Sequence, residues 1–273
     1  MHYVFTGTGY SRPQVRADGE SLNAAALLDL PAAGFRLPTC QLLVCPEAPT
    51  AMLGCTTDGD DDRLHLTLYA GGVSRTRLRL TLAHELAHVR EIVVLGAFRR
   101  HQEWASWADR LRSEFLAERT SEELLRCAFG ASSGLSGAQR AAEYLLGLAP
   151  ALEEIAAQAA TIRAQTDPGP TALVLRVFNE AVCEALLSFA YAAGALASEG
   201  YAVGSLFVFP GLAATPPLVA AARLLLEPLS DEFRALPLLP APRDYQQSDK
   251  EHAQAVARLT QAAVNLGSFF LAN

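Results

Sequence analysis

Apolar residues recur along this chain with two different periods, and the switch between them falls at Gly71-Gly72. Before it, Arg63-Leu64-His65-Leu66-Thr67-Leu68-Tyr69 alternates polar and apolar, the mark of a half-buried strand. Gln41-Leu42-Leu43-Val44-Cys45 predicts a second strand, closed by a turn rich in Pro46, Pro49 and Gly54. The acidic run Asp58-Gly59-Asp60-Asp61-Asp62 predicts a hairpin tip, so the expected sheet is small and antiparallel. After Gly72 the period is helical. Leu78, Leu82, Leu86, Val89 and Val93 follow one another at three- or four-residue steps, predicting a helix over 75–95 with Gly96 as its stop. A second helix is expected over about 103–128, ended by Gly130, and further helices at 138–165, 172–199, 216–227 and 247–270. Linkers fall at 166–171 and 237–242, while residues 1–35 show neither period clearly. The expected architecture is α+β and mainly helical, with a first region over 1–130 and a helical extension over 131–273 packed with it as one unit.

Composition narrows the functions this architecture can serve. Half of the 273 residues are apolar and the net charge is −7, with no cluster of Lys and Arg, so a nucleic-acid surface is not expected. Five cysteines without a CxxC pair fit a reducing compartment, and residues 1–10 lack the basic-then-apolar pattern of a secretory leader. The expected location is the cytoplasm. Between Ala185 and Ala222 the only charge is Glu199, but Gly200, Gly204, Pro210, Gly211, Pro216 and Pro217 interrupt the apolar run, so a buried helix and a loop are expected rather than a membrane span. The acidic run at 58–62 lacks the twelfth-position Glu of a calcium loop and reads as a solvated turn.

Chemistry concentrates in one place. His84-Glu85-Leu86-Ala87-His88 has the HExxH spacing, which puts two imidazoles on one face of a helix where both can reach one zinc ion. Glu85 projects in a different direction, placed to hold a water and take its proton as general base. A hydrolytic zinc needs a third protein ligand. The extended motif that would supply a third histidine is absent, because Glu91 and Val94 stand at its glycine and histidine positions. The ligand is therefore expected from the next helix, where Glu114 and Glu118 lie four apart on one face. Either carboxylate can serve; a solvated face shared with Arg119, Glu122 and Glu123 is the bland alternative.

Thr81-Leu82-Ala83-His84-Glu85-Leu86-Ala87-His88, followed by Glu114-Phe115-Leu116-Ala117-Glu118, resembles the gluzincin-type metallopeptidases and is most similar to the ImmA/IrrE-like proteins. The resemblance covers some 60–70 residues. It implies a zincin-like domain, a Zn2+ cofactor held by His84, His88 and Glu114, and Glu118 in the position that orients a ligand histidine, where related proteases carry Asp. The implied activity is hydrolysis of peptide bonds in a protein or peptide substrate, with Glu85 as general base. The alternative is a regulatory protein that keeps the site for a narrow cleavage, or for none, and acts through a protein partner. Among other candidates, His65, His101 and His252 are isolated and read as surface histidines. Arg75 and Arg77 either steer a substrate carboxylate or mark a solvent-facing helix start. Trp104 and Trp107 are expected to pack against the first helix, and Tyr144, Tyr191 or Tyr201 are open as oxyanion donors.

Overall fold

The structure is a computed structural model that describes residues 1–46, 54–58, 63–95, 107–164, 172–202, 205 and 237–244, with 261, 264–265, 267–268 and 270–272 farther on. Four strands form one sheet: β1 (His2–Phe5), β2 (Thr39–Cys45), β3 (Gly54–Asp58) and β4 (Arg63–Tyr69), in the spatial order β1-β2-β4-β3. The hairpin of β3 and β4 is antiparallel as expected, but β1 pairs with β2, and β2 with β4, in parallel. The sheet is therefore mixed rather than antiparallel. The physical reason lies in the unassigned residues 1–35. They form β1 and the helix α1 (Arg12–Leu27), whose crossover returns the chain parallel to its start. Leu64, Leu66 and Leu68 are at most 1% exposed, the alternate positions that the period-two pattern assigned to one face, and Leu42 and Val44 of β2 are equally buried.

Among the described residues, the helices α2 (Arg75–Leu95), α3 (Trp107–Phe129), α4 (Gly137–Leu146), α5 (Leu148–Ala164) and α6 (Ala172–Ala197) follow. The expected helix at 138–165 is two, divided at Gly147, and α4 starts on a capping box in which Ser136 and Gln139 exchange side-chain and backbone hydrogen bonds. The sharp entry into α2 depends on Gly71, where any Cβ would come within 1.8 Å of the Pro46 carbonyl oxygen. The expected helix at 216–227 lies outside the described residues, as does the hairpin tip beyond Asp58, while 261, 264–265, 267–268 and 270 of the expected helix at 247–270 are described and helical.

The chain divides into two compact units. The first comprises 1–105, 116–135 and 236–249; it holds the sheet, with α2 lying along β3 and β4 and α1 against α2. Its most buried cation is Arg90, 1% exposed, which donates to Ala26 O, to both oxygens of Asp29 and to Pro240 O. The second unit comprises 106–115, 136–235 and 250–273, with α6 packed against α4 and α5. Val174–Ala197 and the stretch 137–164 are apolar and long enough to cross a membrane by length and composition, and 61% of the apolar window of the former is buried, as in a core helix.

Candidate metal centre

α2 is buried on nearly every side from Leu82 to Ile92, so its polar side chains meet protein rather than bulk water. His84, Glu85 and His88 are each at most 8% exposed. One helical turn brings the two imidazoles edge to face, 4.8 Å between ring centroids, with the Nε2 atoms 3.1 Å apart. Bonds of about 2.0–2.1 Å to a common tetrahedral ion would set two nitrogens roughly 3.3 Å apart, so the pair needs only a small adjustment to share one.

The third and fourth members come from α3, where a solvated acidic face was the alternative. Burial removes that alternative: Glu114, Glu118 and Glu122 are 8%, 1% and 3% exposed. Ligand atoms of His84, His88 and Glu114 all lie within 4.8 Å of one another, a group able to hold a metal ion. Glu118, one turn on, takes a different position. Its Oε2 lies 3.2 Å from His84 Nδ1, and a proton held there would fix the ring and leave the Nε2 lone pair available to a metal ion. Of the two carboxylates left open by spacing, Glu114 is the one in the group able to hold a metal ion, and Glu118 is the one that meets His84 Nδ1. Arg110, one turn before Glu114, brings a guanidinium to 3.8 Å from its Oε1.

Glu85 points towards the edge strand β3, where Thr56 Oγ1 donates to its Oε2 at 2.7 Å. Neither Thr56 nor Arg110 was singled out by the sequence. For β3 the available signal was Gly54, a glycine inside a strand, which often marks close approach of another group.

The remaining candidates are dispersed. Arg75 closes on Asp18 with two hydrogen bonds of 2.8 Å, joined by Arg79 at 2.7 Å, so it braces α1 against α2. That cluster borders a cavity of about 130 Å³ whose lining includes Tyr10, Leu68 and Leu82, but its charges are spent on each other and the histidine pair is not part of its wall. His65 lies half-buried on β4, on the face opposite the buried leucines. Tyr144 and Tyr191 stack on one another at 5.1 Å, and Tyr201 is exposed. His101, Trp104 and His252 lie outside the described residues, as does the side chain of Trp107. All five cysteines are free, and burial pushes Cys40 and Cys183 up to about 11, the opposite of what a thiolate nucleophile needs.

In comparisons with known proteins, no family model, no curated protein and no solved structure matches this chain.

Proposed function

We propose that the chain is a zinc-dependent metallopeptidase of the cytoplasm, similar in its site to the ImmA/IrrE-like proteins. The observation that carries this reading is the grouping of ligand atoms of His84, His88 and Glu114 within 4.8 Å of one another, with Glu85 next to His84 in the chain and Glu118 at His84 Nδ1. Two nitrogens and a carboxylate oxygen are the donor set of a hydrolytic zinc site, which keeps a fourth position for water. Zinc bound there supplies a Lewis acid that polarises a scissile carbonyl and acidifies water. Glu85 takes the proton from the attacking water and returns it to the leaving nitrogen as the C–N bond breaks. Glu114 completes the donor set, and Glu118 holds His84 in the tautomer that ligation requires. The outer edge of β3 has no strand partner among the described residues, so a peptide segment laid along it would pass beside Glu85.

The near-complete burial of Glu85 and of the three metal donors favours a narrow activity over a general one, and a partner-binding role with restricted cleavage is the second reading. Metal analysis of the purified protein tests the first step: about one zinc per chain is expected, lost in His84→Ala. Digestion of a proteome-derived peptide library, followed by mass spectrometry, tests the second. Glu85→Gln should retain zinc and abolish cleavage; metal loss in that variant contradicts the role assigned to Glu85. A wild type that cleaves no peptide, yet copurifies with one protein, would favour the second reading.

A further inference from the structure

A general base must keep its carboxylate within about 2.6–3.2 Å of the oxygen whose proton it removes, and a glutamate side chain has three rotatable bonds with which to lose that position. Two observations on β3 show what restrains Glu85. Thr56 Oγ1 donates to Glu85 Oε2 at 2.7 Å. Two residues earlier on the same strand face stands Gly54, where an added Cβ would lie 2.8 Å from Glu85 Oε1, 3.1 Å from Glu85 Cγ and 2.8 Å from Thr81 Cγ2. One carboxylate oxygen is tied to a hydroxyl, and the other rests over a position that has room only for hydrogen.

We propose that strand β3 is the positioning element of the site, with Thr56 orienting the Glu85 carboxylate and Gly54 leaving the space it lies in. This rests on the hydrolase reading above. Thr56 touches neither substrate nor metal in this scheme; it is a positioning residue acting through Glu85. The hydroxyl holds Oε2, and Gly54 leaves the room in which Oε1 lies. Gly54→Ala should displace the Glu85 carboxylate, because two of the three atoms it meets belong to that flexible side chain, and the Thr81 methyl at 2.8 Å must give way as well.

The test uses the full chain with 13C-labelled glutamate carboxyls, the Glu85 resonance being assigned from Glu85→Gln. Thr56→Val keeps the side-chain shape and removes the donor, whereas Thr56→Ser keeps the donor. The expected result is a moved Glu85 resonance in Thr56→Val and in Gly54→Ala, an unmoved one in Thr56→Ser, and unchanged zinc stoichiometry in all three. On a peptide taken from the library digestion, Thr56→Val should lower kcat about ten- to a hundredfold with KM nearly constant, and Thr56→Ser should restore most of it. A wild-type resonance in Thr56→Val, or a Thr56→Ser variant as defective as Thr56→Val, overturns the proposal. If the wild type cleaves nothing, the hydrolase reading falls, and the resonance alone decides whether Thr56 holds the carboxylate.

Discussion

Glu118 and Glu114 are the same residue type one turn apart, and their surroundings give them different work. Glu118 is 1% exposed and faces His84 Nδ1, while Glu114 lies among the ligand atoms with Arg110 alongside. Removing an outer partner of a ligand histidine typically weakens metal binding about ten- to a hundredfold. Glu118→Gln should therefore lower zinc affinity by that factor, measured by competition with a chromophoric chelator, whereas Glu114→Ala should lower it much further. Equal effects of the two changes would mean that their roles are not distinct. The histidines and Glu85 were legible because spacing on one helix is a local property. Thr56 was not, because its partner lies 29 positions away and only the docking of β3 on α2 brings them together.

At the scale of elements, legibility followed periodicity. β4, α2 and α3 carry strong patterns, and the structure has them close to where the pattern put them. α1 does not: its buried face mixes Val15 and Leu22 with Asp18, which pairs with Arg75 and Arg79 of α2, and Gly19, which lies against Tyr3 of β1. Strand order was equally hidden, since pairing between β2 and β4 skips the strand between them in sequence. Those partnerships make two predictions. Burial raises the Asp18 carboxyl, but hydrogen bonds and charge from Arg75 and Arg79 outweigh it and hold it below its ordinary 3.8. The Arg90 hydrogen bonds do the same for Asp29. A carboxyl with a depressed folded-state value contributes stability that is intact above 3.8 and lost as pH falls through the lower value. Melting temperature should thus drop steeply below about pH 4, and less steeply in Asp18→Asn, by calorimetry across pH. Arg90→Ala strands two buried carbonyls and releases Asp29, and should cost about 3 kcal/mol or more in urea denaturation.

For the molecule as a whole, the α+β, mainly helical class followed from composition and period, and the mixed sheet with its two-unit division came from contacts distant in sequence. A ligand that binds only the folded chain stabilises all of it, by about 4 kcal/mol when present at a thousand times its dissociation constant. Zinc should accordingly raise the melting temperature of the whole protein and a chelator should reverse the gain; His84→Ala should abolish the difference between the two conditions.

Because the two imidazoles sit on α2 and Glu114 on α3, the three groups are made in a fixed order during synthesis. A growing polypeptide carries His84 and His88 before Glu114 exists, so a cation that required all three would have no complete set to settle on until the later helix had been made.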